Sequence, residues 1–199
     1  MREFLRRLWS RVILRGIHYG DRYSRFDQLY RIQNPWRMDT EAEKFRFEET
    51  NRLIRTNIGK IGTLLEIGCG EGHQTAKLGE LCDKVYAIDI SERAVERAKE
   101  RYSGATFAIG DVFSAPILNS TPRFDLVVAC EVLYYVSDVP EFLARMEQLG
   151  RSCFVTYVSV QEAQLAPILA TLPNLQSTEF NYNQTRWYAA WWSGQSNSI

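Results

Sequence analysis

Histidine, paired cysteine, long apolar runs and net charge are what this 199-residue sequence has least of. Two histidines, His18 and His73, cannot build a His/Cys metal cluster, so no metal site is expected. The four cysteines (Cys69, Cys82, Cys130 and Cys153) are scattered, with no C-x-x-C, and read as reduced thiols of a cytoplasmic protein. The longest run without charge, Ala163 to Thr178, is 16 residues and contains Pro167 and Pro173, too short and too polar for a membrane span. No apolar stretch marks a secretory signal. A formal charge of zero, from 24 basic and 24 acidic residues, argues against a general polyanion binder.

That zero hides an asymmetry. Residues 1–31 carry eight Arg against three acids, a net +5, which leaves −5 for residues 32–199. Phe4, Leu5, Leu8, Trp9, Val12 and Ile13 recur at helical spacing among Arg6, Arg7, Arg11 and Arg15. This is a basic amphipathic helix. Peripheral membrane contact through residues 1–17 is one use for it, and packing on the domain as a lid is the preferred one. The division expected is an N-terminal basic and aromatic extension, 1–38, and a main domain, 39–199.

The main domain alternates short apolar runs with helical periods. Thr40 and Glu43 form a capping pair for a helix over 41–57. TLLEI (63–67), KVYAI (84–88), residues 105–108, FDLVVAC (124–130) and 153–158 read as strands. Helices are expected from the glycine loop to Leu81, from Ser91 to Tyr102, from Asp138 to Leu149, and from Ser159 to Leu172. Residues 176–182 and 185–192 read as a closing hairpin. Alternating strands and helices require a parallel sheet covered on both faces, with the ligand at the carboxyl ends of the strands.

Those ends carry the chemistry. After the first strand comes Glu66-Ile-Gly68-Cys-Gly70-Glu-Gly72, after the second Asp89, after the third Gly110-Asp111, after the fourth Cys130-Glu131-Val132. Glycine lets backbone approach a ligand closely. A carboxylate at position 89 can accept both hydroxyls of a ribose. Position 73 is His, so the dinucleotide pattern G-x-G-x-x-G fails at its third glycine. Glu66 and Glu71 put negative charge where a pyrophosphate would want positive, which suits a ligand with a cationic group.

LLEIGCGEG, YAIDIS and AIGDVF resemble the first three motifs of class I S-adenosylmethionine-dependent methyltransferases. The resemblance implies a Rossmann-like, doubly wound α/β sheet of seven strands, mostly parallel with a reversed last strand. It implies S-adenosylmethionine as cofactor and S-adenosylhomocysteine as product. Glu66 would lie near the methionine ammonium, Gly68, Gly70 and Gly72 along the cofactor, Asp89 on the ribose. Ile90 would pack on the adenine, with Asp111 and Val112 at its edge. Trp36 reads equally as a lid over the cofactor and as a core residue. A narrower resemblance, carried by YRIQNPW (30–36), GCGEGH and CEVLYYV, is to NodS-type methyltransferases. Those N-methylate the free amino group of an oligosaccharide precursor of nodulation signals. That family usually has D-P-W where this chain has Asn34-Pro35-Trp36.

The segment after the fourth strand faces the methyl group in such enzymes, so Glu131 and Tyr134 are the candidate catalytic residues, Glu131 also touching the cofactor. The expected activity is methyl transfer to a small-molecule acceptor, an amino group preferred. Two alternatives stand beside it: a small-molecule O-methyltransferase, and a non-catalytic cofactor-binding scaffold using the basic helix. Nucleic acid is not expected as partner, because N/D-P-P-Y/F is absent after the fourth strand. Monomer and homodimer both fit the sequence.

Overall fold

The computed structural model describes residues 22–119 and 123–194. The amphipathic stretch over 1–17 lies outside the described residues. Helix α1 (Arg22–Leu29) leads through a turn-rich segment to α2 (Glu41–Asn57). Strands β1 (Ile61–Ile67), β2 (Cys82–Asp89), β3 (Ala105–Ile109), β4 (Phe124–Cys130) and β5 (Gly150–Val158) then alternate with helices. Those are α3 (Thr75–Leu78), α4 (Glu92–Arg101), α5 (Val139–Leu149) and, after β5, α6 (Glu162–Leu169). Strands β6 (Gln176–Tyr182) and β7 (Thr185–Ser193) close the sheet, whose order is β3-β2-β1-β4-β5-β7-β6. β1 to β5 pair in parallel, and β7 enters antiparallel between β5 and β6. This is the seven-stranded architecture with a reversed last strand that the family resemblance implies.

The pattern of β4 explains its central place. Phe124, Leu126, Val127, Val128 and Ala129 are all fully buried, so both faces of the strand are covered, as parallel strands require. Alternate residues serve different cores. Leu65, Val127 and Ala129 meet Phe142, Leu143 and Met146 of α5 and Leu165 and Leu169 of α6. Leu64, Leu126, Val128 and Phe154 meet Leu53 and Ile54 of α2 and the hairpin residues Phe180 and Trp187.

Helix starts follow their caps. Thr40 accepts from the Glu43 N–H, Ser91 from Ala94 and Asp138 from Glu141. Two expectations need correction. The helix after the glycine loop is one α turn followed by a tighter turn over Gly79–Leu81, because residues 70–74 are spent on the loop. Ser159 caps nothing: it opens a short 3₁₀ turn, and α6 begins at Glu162 without a side-chain cap and stops at Leu169.

Candidate functional site

A cavity of about 380 Å³ opens at the carboxyl ends of β1 to β4. The glycine loop forms its floor. Gly68 has φ +76°, and a Cβ there would stand 2.5 Å from Val132 Cγ2. Gly70 has φ +54°, and its Cβ would meet Tyr30 Oη at 2.7 Å. Both positions therefore need glycine for conformation and for space. Gly72, expected on the cofactor, does not line the cavity; it packs on α4, where its Cβ would meet Ala98 at 3.1 Å.

Four carboxylates at strand ends line the cavity: Glu66, Asp89, Asp111 and, past β4, Glu131. Glu66 is buried and accepts from Thr75 Oγ1 at 2.5 Å. Burial pushes it up to about 7, against the Thr75 bond and the nearby Arg46 charge. Asp89 accepts from the Gly70 N–H (2.8 Å) and the Ser91 N–H (2.9 Å), and burial raises it too. Asp111 spends Oδ1 on its own loop, accepting from Phe113 N, Ser114 N and Ser114 Oγ. Ile90, Val112 and Trp36 also line the cavity.

Past β4 the chain turns through Glu131 at φ +60°, the left-handed region a residue with a long side chain rarely enters. Its carboxylate accepts from Thr156 Oγ1 (3.0 Å), the Val158 N–H (3.1 Å) and Tyr134 Oη (3.1 Å). Burial holds this carboxyl above the usual range, opposed by the Arg46 guanidinium and these hydroxyls. Tyr134 and Tyr135 follow in a 3₁₀ turn, Leu133–Tyr135, with rings 4.5 Å apart. Both line the cavity.

Sequence reading missed Arg46 and Gln74. Arg46 sits on α2, 1% exposed, and donates to Glu43 Oε2 and to Gln74 Oε1, each at 2.8 Å. Gln74 Nε2 is buried with no hydrogen-bond partner among the described residues, and both side chains line the cavity. A buried donor left unpaired is costly unless a ligand satisfies it. A guanidinium and an orphan amide N–H beside the Glu66 carboxylate suit the carboxylate and ammonium of an amino acid. No group of three or more potential metal ligands occurs among the described residues.

A strap over residues 22–38 covers the cavity. Asp27 accepts from Ser91 Oγ, Arg93 N and Arg93 Nε, which ties α1 to the start of α4. The N–H of Asn34 donates to both oxygens of Glu71 (2.9 and 3.0 Å), and Arg97 donates to the same carboxylate at 2.6 Å. Burial would raise Glu71, yet His73, Asn34 and Arg97 hold it down to about 2. Pro35 then leads to Trp36, whose indole donates to Tyr30 Oη and whose ring lies 5.6 Å from Tyr135. Phe26 completes the aromatic group, edge-on to Tyr135 at 5.5 Å.

Residues 25–153 match the family described as Nodulation protein S (NodS). Nodulation protein S of Bradyrhizobium diazoefficiens is 34% identical over 122 residues, 59% of this chain and 56% of that protein. The counterpart in Sinorhizobium fredii is 34% identical over 109 residues, 54% of this chain and 50% of the relative. The match thus spans about half the length of these curated relatives. Among solved structures, that of N-methyltransferase NodS from Bradyrhizobium japonicum WM9 in complex with S-adenosyl-L-homocysteine aligns with a TM-score of 0.71. It is 23% identical, and the alignment covers 87% of this chain and 98% of that one, a likeness of fold.

Proposed function

The chain belongs to the NodS family, and on that premise we propose that it is an S-adenosylmethionine-dependent methyltransferase whose acceptor is a small-molecule amine, an amino sugar or oligosaccharide amine. Family membership, the two tight glycines and the strand-end carboxylates support the cofactor. Glu66 would hold its ammonium, Arg46 with Gln74 its carboxylate, and Asp89 its ribose hydroxyls. Ile90, Val112 and Trp36 would flank the base. Bound S-adenosylmethionine supplies an electrophilic methyl on a cationic sulfur, open to in-line displacement.

The observation that carries the amine is the Glu131–Tyr134 pair on the cavity wall. An amine enters as ammonium and must shed a proton before its lone pair can attack. The Glu131 carboxylate stabilises the ammonium and accepts that proton, directly or through the Tyr134 hydroxyl bonded to it. Such a positioned base contributes about 10²–10⁴-fold. The strap's aromatic rings exclude water and hold the acceptor in line, and alignment of this kind supplies about 7–11 kcal/mol.

A methyl-transfer screen tests this, with labelled S-adenosylmethionine offered against de-N-acetylated chitooligosaccharides, small amines and phenols. Label on the amines is expected. Glu131→Gln should keep cofactor affinity in calorimetry while turnover drops about 100-fold or more. Label on phenols with amines untouched would overturn the amine reading.

A further inference from the structure

The end of β5 is built around Glu131. Thr156 is fully buried and pairs with Cys130 across the β4–β5 ladder, so its hydroxyl faces the chain where it leaves β4. Its carbonyl accepts the Glu131 N–H at 2.9 Å, and its hydroxyl donates to Glu131 Oε1 at 3.0 Å. Two residues on, the Val158 N–H donates to Oε2. One strand thus grips both backbone and carboxylate of a residue in the left-handed conformation. A strained residue keeps its place only where its surroundings over-determine it.

We propose that Thr156 is a positioning residue for methyl transfer: its hydroxyl, with the Val158 N–H, fixes the Glu131 carboxylate and keeps it charged towards the cavity. This rests on the reading of Glu131 as the group that receives the acceptor's proton. Thr156 itself does not line the cavity, so it acts through Glu131 and not on the substrate. The other charged or titratable groups around that carboxylate are Arg46 and Glu43 from α2, Cys130 at the end of β4, and Tyr134 and Tyr135 from the following turn. Of these only Arg46 is cationic, and it is shared with Glu43 and Glu66. The Arg46 charge is the strongest pull towards the ionised form of Glu131, and the Thr156 hydroxyl comes next, ahead of Tyr134.

The sign follows. The Thr156 hydroxyl favours the charged carboxylate, so removing it raises the pH at which Glu131 ionises. The test is a carboxyl ¹³C NMR titration of glutamate-labelled protein, with the Glu131 resonance assigned by its loss in Glu131→Gln. In Thr156→Val the Glu131 midpoint should move up by about one pH unit, and Thr156→Ser should restore it. On a de-N-acetylated chitooligosaccharide the acid limb of kcat should move up with it, while KM for S-adenosylmethionine stays level. An unshifted midpoint in Thr156→Val, or a Ser variant as shifted as the Val one, would overturn the inference. Failure of Glu131→Gln to lower kcat would instead sink the function of Glu131 and leave the titration to judge the clamp alone.

Discussion

Glu66 gives the cavity a pH signature of its own. A carboxyl raised to about 7 keeps its proton in the folded, ligand-free chain over a range where the unfolded chain has lost it. This group therefore costs stability progressively as pH rises from about 4.5 to 7. A ligand ammonium reverses the preference, because it needs the carboxylate charged. The affinity for S-adenosylhomocysteine should accordingly rise with pH, by up to tenfold per unit, and level off above about 7. Calorimetry from pH 5 to 8 measures this, and Glu66→Gln should bind more weakly with a flat profile. Glu66, Asp89 and Glu131 were legible in the sequence because each lies at or next to the end of an apolar run, and strand ends share one edge of a parallel sheet. Arg46 and Gln74 were not. On an exposed helix face an Arg among Glu residues has the same spacing as this one; only the placement of α2 against the glycine loop buries it. Gly72 has its positive φ in the same loop, but the side where a Cβ would stand faces Ala98 of α4.

At the scale of elements, Asp27 ties the start of the strap to α4 and Glu71 latches its far end. Glu71, nearly fully buried, takes two bonds from the Asn34 N–H and one from Arg97, and Arg97 also reaches the Ile32 carbonyl. Because its folded value is about 2, the stability it adds is complete above about 4.5 and fades as pH falls from there towards 2. Glu71→Gln should lower stability by on the order of 2 kcal/mol at pH 7 and bring nearly nothing at pH 2, read by denaturant unfolding at both. The same variant should loosen Trp36, seen as faster quenching of its emission. Asn34 fits this latch. Its φ is +49°, which Asn tolerates, and its amide donates to Asp39 while accepting from Met38 N. An Asp there would set two carboxylates 2.7 Å apart, so the change from D-P-W suits this chain's Asp39. Caps at Thr40, Ser91 and Asp138 were legible because the cap is a local interaction. Ser159 was not: the backbone leaves β5 in a 3₁₀ turn over Ser159–Gln161, and α6 begins only at Glu162.

Across the whole molecule, the alternation of strands and helices conveyed a parallel sheet as far as β5, while the order of its strands is set by long-range pairing that no local pattern carries. The hairpin's insertion was implied by resemblance and rests physically on its aromatic content. Trp187 and Trp192 are buried and Trp191 stacks on Phe154, while Trp192 Nε1 donates to buried Glu147 at 3.0 Å. The strand that arrives last among the seven is thus an interior one, seated between β5 and β6. During synthesis, β6 has no neighbour to join until β7 has left the ribosome, so the nascent chain must wait with β5 as a bare edge. Three of the five tryptophans enter with that strand. Stalled chains ending at residue 184 should therefore show little of the tryptophan burial of the finished protein, and should recruit edge-binding chaperones that release once residues 185–193 emerge.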